Sequence, residues 1–447
     1  MPSQGTIGDR VRGLRLNRRM SQAQLAGPDL SDSYVSLIES GKRTPTPVVA
    51  RLLAERLGCT TEFLLHGIEP RQRIDTELGL RHAELELQHG DPAVAADRFT
   101  EIVKAADEEN AMLTAHARFG RARALEAQGR LGQAVEAFER LRREAAAHPE
   151  RLADLPLTIA LSRCYQQAGD RLRARDLASA ALEQAVRLSI TQGEIAIDLA
   201  AALVEARSER ESDSPELQYV KRVLDLTGVP EVVDRSGEIR ALWYASAAAA
   251  AGEDSALAVR LADDAIMAGR QARLSLQLAR TAMHWSRLAT VPVDEAERLI
   301  AAASKAFAGS PATGSEHGES LIVHARVSLR AGKPARAGEL AGAALEPVVD
   351  RMGTTAAEAH LVLATIAIEL GGDASTHLGN AHRALDALDR PVFGSDRQAA
   401  RCWRELGDLY GHVDSRAQQT AAYRKALEAA GVRSALAGVT VDAAVPR

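Results

Sequence analysis

The basic side chains near the start of the chain are the first feature with evident binding chemistry. Guanidinium groups at high density can bind the phosphates of a nucleic acid, or they can form a solvated helix face. Residues 1–70 carry nine basic and seven acidic side chains, whereas the other residues carry 46 basic and 53 acidic ones. The whole chain has a formal net charge of -5, so most of its surface would repel nucleic acid. If the protein binds nucleic acid, residues 1–70 are the segment whose charge is suited to it. Five arginines lie within ten residues: Arg10, Arg12, Arg15, Arg18 and Arg19.

Residue patterns of catalysis and metal binding are missing from the sequence. The twelve histidines are scattered without H-E-x-x-H, and neither a G-x-x-x-x-G-K-[ST] phosphate loop nor a nucleophile elbow occurs. Cys59, Cys164 and Cys402 are odd in number and widely spaced, which indicates neither a disulfide framework nor a zinc site. We therefore expect no enzyme, no cofactor and no metal centre, with the cysteines reduced and buried.

The cellular location follows from two further absences in the sequence. No apolar run reaches the ~18 residues of a membrane helix. The start, MPSQGTIGDRVRG, lacks the apolar core of a secretory signal. We expect a cytoplasmic protein that does not bind membranes.

Helices are expected to position the side chains with binding chemistry. Ala, Leu, Arg, Glu and Gln dominate, and no stretch alternates like a strand. Residues 1–66 are predicted to form a domain of five short helices, and residues 67–76 a linker around Pro70. Paired helices are predicted for residues 77–431, followed by a cap or tail at residues 432–447. The predicted fold is all-α.

Two short helices joined by a tight turn are predicted within residues 21–41. Ser21 is placed to cap SQAQLA, and Gly27 ends that helix. Ser31 can cap DSYVSLIESG, which Gly41 closes in a left-handed conformation. The chain resembles the lambda-repressor-like (Xre) helix-turn-helix family over about 60 residues. The elements that match are Arg15 in the first helix, SQAQLA, YVSLIESGKRTP and the closing LGCTTEFLL. The turn GPDLS departs from the family, which usually has one more residue and a glycine there.

The second of these helices has an apolar and a polar face. Val35 and Ile38 are predicted to point inward, whereas Asp32, Ser33 and Ser36 point outward. The resemblance implies that the outward residues face base edges in the major groove of DNA. There an aspartate accepts only from donors such as cytosine N4, and serine is permissive.

The resemblance also implies contacts with the DNA backbone. Gln22, near the start of its helix, would donate to a phosphate, aided by the positive helix end. Lys42 and Arg43 would bind phosphates from the following loop. Two roles are open for Tyr34, which are packing against the core and contact with a phosphate.

Arg15 and Glu39 have a structural and a functional interpretation. An ion pair between them would lock the first helix to the third, and this is the interpretation we prefer. The alternative places Arg15 on a DNA phosphate, beside the loop cations.

Glycine-centred turns recur beyond residue 77. Gly90, Gly129 and Gly169 are spaced 39 and 40 residues apart, and similar turns follow in AAGEDSALAVRLADDA, RAGKPARAGELAGAA and GGDASTHLGNAHRA. Small residues let two antiparallel helices touch, while bulky ones fill the space between neighbouring pairs. The final run, CWRELGDLY, reproduces the W-x-x-L-G-x-x-Y signature of tetratricopeptide repeats. The chain thus resembles that family from Glu77 to Gly431, which implies a TPR-like α-solenoid of about nine helix pairs, the fourth and sixth degenerate.

First helices of such repeats line a groove suited to an extended peptide or a partner helix. Three arginines at the same register could bind a carboxylate or backbone carbonyls there. Alternatively, they neutralise acidic neighbours. The candidate ligand residues are His116, Arg123, Arg163, Gln166, Gln167 and Arg326.

Domain order supplies the expected function. A helix-turn-helix followed by these repeats resembles the cytoplasmic receptors for secreted signalling peptides in Gram-positive bacteria. The resemblance implies a transcriptional regulator that binds double-stranded DNA, forms a homodimer through its repeats and senses a peptide or other ligand. The alternative is a repeat scaffold that binds a protein partner and carries a vestigial DNA head.

Overall fold

The chain is helical throughout the part that the structure describes. The computed structural model describes residues 6–66, 70–105, 111–149, 152–206, 214–310, 313–346, 353–388 and 396–431, and these ranges contain helices and no strand. None of the helices in these ranges combines the length and the apolar composition that a bilayer crossing demands. The predicted all-α fold is confirmed, while the predicted tail at 432–447 lies outside the described residues.

Five short helices form the N-terminal domain, as predicted. They are α1 (Ile7–Asn17), α2 (Gln22–Ala26), α3 (Asp32–Glu39), α4 (Pro47–Arg56) and α5 (Thr61–His66). The predicted N-caps are confirmed, because Ser21 accepts from the backbone of Gln24 and Ser31 from that of Tyr34. Gly27 and Gly41 adopt φ values of 57° and 70°, which end α2 and the turn after α3.

A single apolar core joins these five helices. Val11 of α1, Leu25 of α2 and Leu64 of α5 are fully buried and pack in one cluster. Val35 and Ile38 belong to the same cluster, so the inward face of α3 is the predicted one. This core fixes the orientation of the opposite face of α3.

Helix pairs follow, as the repeat pattern predicted. They are α6 (Pro70–His89), α7 (Pro92–Ala105), α8 (Ala111–Ala127), α9 (Leu131–Ala147), α10 (Asp154–Gln167), α11 (Arg171–Arg187), α12 (Glu194–Glu205), α13 (Pro215–Thr227), α14 (Ser236–Ala251), α15 (Ser255–Ser286), α16 (Val293–Ala308), α17 (Gly314–Arg330), α18 (Pro334–Leu345), α19 (Thr354–Glu369), α20 (Ser375–Asp386), α21 (Arg397–His412) and α22 (Arg416–Ala429). Consecutive helices such as α17 and α18, or α21 and α22, pack side by side. The repeats are TPR-like.

Glycines permit close approach of helices both within a pair and between neighbouring pairs. A Cβ atom added to Gly120 would lie 2.4 Å from the ring of Phe99, and one on Gly407 would lie 2.6 Å from the ring of Tyr423. In both places a ring of the second helix therefore rests on a glycine of a first helix. The contact of Gly407 with Tyr423, within α21 and α22, is the small-residue contact that the repeat pattern predicted, whereas Phe99 fills the space between two neighbouring pairs.

The structure differs from the sequence expectation at the predicted linker. The segment predicted as a linker, 67–76, overlaps α6, which begins at Pro70 because proline is tolerated in the first turn of a helix. The helix α15 has 32 residues; its residues 255–270 pack against α14, and its last residue, Ser286, donates to the carbonyl of Ala296 in α16.

The chain divides into two compact units. The first comprises Met1–Cys164 and Arg235–Arg270, and the second comprises Tyr165–Asp234 and Gln271–Arg447. In the first unit, α6 packs against α14 and α15 through Leu78 and Leu85. Cys164 and Cys402 are buried free thiols and Cys59 is half-buried, so burial is confirmed for two of the three cysteines.

Candidate nucleic-acid interface

The outer face of α3 is open to solvent. Asp32, Ser33 and Ser36 are all exposed, which is the predicted orientation. Asp32 Oδ1 accepts a hydrogen bond of 2.9 Å from the backbone N–H of Ser33, so this carboxylate caps the first turn of its own helix. Both serine hydroxyls remain accessible for donating to or accepting from a base edge.

An ion pair inside the domain sets the position of α3. Arg15 Nε and Nη2 donate to the two carboxylate oxygens of Glu39 at 2.6 and 2.8 Å, and Arg15 Nη1 donates to the carbonyl of Met20 at 2.9 Å. Gln22 Nε2 donates to Glu39 Oε2 at 2.8 Å. Burial alone raises the pKa of Glu39, but the hydrogen bonds from Arg15 and Gln22 outweigh it and hold this pKa below its ordinary value. The preferred interpretation of Arg15 and Glu39 is confirmed.

Gln22 therefore occupies a position that the sequence did not reveal. Its half-buried side chain joins α2 to the end of α3, and one of its N–H groups is used inside the protein. An amide has two N–H groups, so one still remains for a phosphate. The proposed phosphate contact by Gln22 thus uses a side chain that Glu39 holds in place.

The arginine cluster has mainly a structural role. Arg10 donates to the carbonyls of Leu64 and Leu65 at 3.1 and 2.7 Å, where α5 ends. Arg18 Nη2 lies 3.5 Å from the carbonyl of Gly58. With Arg15 paired inside the domain, the exposed arginines of the cluster that have no such contact in the described residues are Arg12 and Arg19.

The loop after α3 carries the accessible cations. The backbone N–H groups of Lys42 and Arg43 donate to the carbonyl of Leu37 at 3.0 and 3.2 Å, and both side chains are exposed. The guanidinium of Arg43 lies 4.8 Å from the ring centre of Tyr34, which itself packs against the core. Tyr34 is thus a packing residue that also orients Arg43.

Leu37 is a residue of this face that the sequence interpretation missed. It is 38% exposed and lies one helical turn beyond Ser33, on the same side of α3. An exposed leucine on an otherwise polar face can contact the methyl group of thymine. Because Leu37 is four residues after Ser33, the sequence could have predicted that both lie on the same face of the helix.

The three groove arginines are each held in an ion pair. Arg123 Nη1 lies 2.9 Å from Glu84, and Arg163 Nη2 lies 2.8 Å from Glu126. In the second compact unit, Arg326 binds both oxygens of Glu405 at 2.9 Å. Each ion pair joins the first helices of two different repeats. This agrees with the alternative stated from the sequence, in which these arginines neutralise acidic neighbours.

The remaining groove candidates are polar residues near these pairs. His116 and Gln167 are exposed, whereas Gln166 is half-buried. Gln166 Nε2 donates to the carbonyl of Glu205 at 2.7 Å, and its Oε1 atom is buried without a partner in the described residues. Their assignment to a ligand stays a proposal.

Comparison with known proteins identifies the N-terminal domain. Residues 11–64 match the helix-turn-helix family, so the chain begins with an Xre-like helix-turn-helix domain. No curated protein is detectably similar to the chain.

Two solved structures match the chain at low similarity. PlcR of Bacillus thuringiensis, in complex with the peptide PapR7 and DNA, is 12% identical, with 74% of this chain and 98% of that chain covered at a TM-score of 0.30. A Rap protein complexed with competence and sporulation factor is also 12% identical, with 95% and 100% covered at a TM-score of 0.40. At these scores the likeness supports no conclusion about ligand or assembly.

Proposed function

We propose that the protein is a sequence-specific DNA-binding transcriptional regulator whose TPR-like repeats mediate dimerisation and sense a peptide or other ligand. The observation that carries this proposal is the exposed polar face of α3 with Lys42 and Arg43 in the loop beside it. A face that short polar residues keep narrow can enter the major groove, while the loop cations reach phosphates. Double-stranded DNA is the proposed partner.

Dimerisation is part of the proposal because one such domain contacts little DNA. Two domains on a palindromic site gain affinity by avidity, provided that their spacing matches about one helical turn. A ligand that changes the spacing of the two domains would then change DNA affinity. No membrane and no cofactor enter this proposal.

Selection of bound duplexes from a random pool by the full chain tests the proposal. We expect enrichment of two half-sites with inverted symmetry. An enriched single half-site would contradict the dimer, and the absence of any enrichment would favour the protein-binding scaffold.

Lys42→Ala and Ser33→Ala should have different consequences. Loss of Lys42 removes a phosphate contact, so affinity should fall for all sequences and the slope of log affinity against log salt should decrease by about 1 per domain. Ser33→Ala should instead change the preferred bases. Fluorescence anisotropy with selected and scrambled duplexes measures both, and a uniform loss from Ser33→Ala would place Ser33 among the phosphate contacts.

Leu37 should make the protein sensitive to a thymine methyl group. Replacement of the contacted thymine by deoxyuridine removes only that methyl, so affinity should fall about fourfold, corresponding to about 0.8 kcal/mol. The Leu37→Ala variant should bind both duplexes equally. Anisotropy titrations with one substituted thymine at a time measure the effect, and a Leu37→Ala variant that still discriminates would exclude Leu37 as the reader.

A further inference from the structure

A charged cavity lies among the first helices of the second compact unit. It has a volume of about 570 Å³ and is lined by residues of α17, α19 and α21, together with Ser286 and Arg287 at the end of α15. Its lining includes the apolar side chains Val323, Val327 and Val362 together with five arginines and four carboxylates. The site is therefore suited to a charged ligand that is small enough to fit among three helices.

Among the carboxylates that line this cavity, Glu358 is the buried one, and it has no ion pair within the described residues. It is only 8% exposed, although it lines the cavity. Its Oε1 atom accepts only from Gln398 Nε2, at 3.5 Å, and from the thiol of Cys402, at 3.7 Å. Burial and the nearby Glu358 and Glu405 raise the pKa of Cys402, so the thiol stays protonated and is a weak donor. Within the described residues, no cation pairs with Glu358.

A cation near Glu358 is already engaged by another carboxylate. Arg326 lies close enough to feel the charge of Glu358, but both of its outer nitrogens bind Glu405. A buried carboxylate without a partner is costly, and proteins usually pair such groups or use them to hold a ligand. Glu358 is thus ready to accept a cationic group from outside the chain.

The other charges restrict what that ligand can be. Arginines outnumber carboxylates around the cavity, so a polycation such as a polyamine would be repelled. Arg404 lines the cavity, is exposed and forms no ion pair in the part of the chain that the structure describes. We propose that the cavity binds a zwitterion whose ammonium group pairs with Glu358 and whose carboxylate pairs with Arg404. This inference specifies the ligand to which the proposed regulator would respond. Its role in regulation rests on the proposed function.

Thermal unfolding of the full chain with small probes tests the site directly. We expect 5-aminopentanoate to raise the apparent melting temperature, whereas pentanoate and spermidine do not. Triglycine carries the same charges on a peptide backbone, and a larger shift with triglycine would identify a peptide as the source of the zwitterion. No shift with either zwitterion, or a shift with spermidine alone, would overturn the proposal.

Two matched variants separate Glu358 from a general charge effect. Glu358→Gln removes the unpaired charge at equal size, so it should raise the apparent melting temperature of the unliganded chain by at least about 2 °C and abolish the response to 5-aminopentanoate. Glu369→Gln, an exposed carboxylate on the same cavity, should retain that response. A lower melting temperature for Glu358→Gln would show that the carboxylate is satisfied within the protein and would refute the site.

These measurements use no DNA. A failure of the zwitterion site therefore leaves the DNA-binding proposal standing, and a failure of DNA binding leaves the site standing. If both hold, 5-aminopentanoate should also change the affinity of the full chain for its selected duplex, and Glu358→Gln should remove that change.

Discussion

Replacing Arg15 by alanine is expected to destabilise the N-terminal domain strongly and to weaken DNA binding. The substitution leaves Glu39 buried and charged, with only Gln22 as a donor from the present network. Breaking a buried ion pair in this way costs about 3–5 kcal/mol, which is a large fraction of the stability of about 5–15 kcal/mol that an ordinary domain has. Hydrogen exchange of residues 7–39 within the full chain measures the loss, since the repeats then serve as an internal reference.

Two controls separate the effect of breaking the ion pair from the effect of removing any arginine from α1. Arg12→Ala removes an exposed neighbour in the same helix and should leave exchange unchanged. Removing both partners, as in Arg15→Leu combined with Glu39→Leu, should recover much of the stability, because no uncompensated charge remains. Unchanged protection in Arg15→Ala would contradict the proposed role of the pair.

Gly8→Ala is expected to have the second large effect, by separating α1 from α3. A Cβ atom on Gly8 would lie 2.4 Å from the carbonyl oxygen of Ile38 and 2.9 Å from that of Glu39. These are backbone atoms, which move only if the helices move apart. Overpacking of this kind costs about 1–3 kcal/mol or more, and it displaces the helix that would enter the DNA. Duplex affinity and hydrogen exchange of α3 measure the two consequences.

Gly13→Ala in the same helix is the matched control. Nothing lies within 4 Å of a Cβ added there, so alanine should stabilise α1 by about 0.5–1 kcal/mol through its higher helix propensity. The two substitutions are chemically identical but should change exchange rates in opposite directions. A neutral Gly8→Ala would show that α1 and α3 are not in close contact.

Local rules predicted the elements of the N-terminal domain well. Ser21 and Ser31 cap their helices because a side-chain oxygen satisfies an N–H group at a helix start, and this depends only on neighbouring residues. The two faces of α3 followed from the spacing of Val35 and Ile38. The charge pair of Arg15 with Glu39 was also found, because the family resemblance supplied the relation between α1 and α3.

Contacts between distant residues could not be predicted from spacing. The partners of Arg10 and Arg18 are carbonyl groups 40 or more residues away, so a dense arginine cluster appeared equally suited to phosphates. The pairs of Arg123 and Arg163 with glutamates of the preceding first helix required the register between helices. Leu37 was overlooked because an apolar residue in a short helix is usually assigned to the core.

The salt dependence of DNA binding tests the central claim most directly. Anisotropy titrations of the full chain with its selected duplex should be made between about 50 and 200 mM salt. A dimer that contacts four phosphates, through Lys42 and Arg43 of each protomer, should lose about 150-fold in affinity across that range. Lys42→Ala should reduce the loss. A chain that binds no duplex at low salt, or whose affinity does not change with salt, would contradict the account.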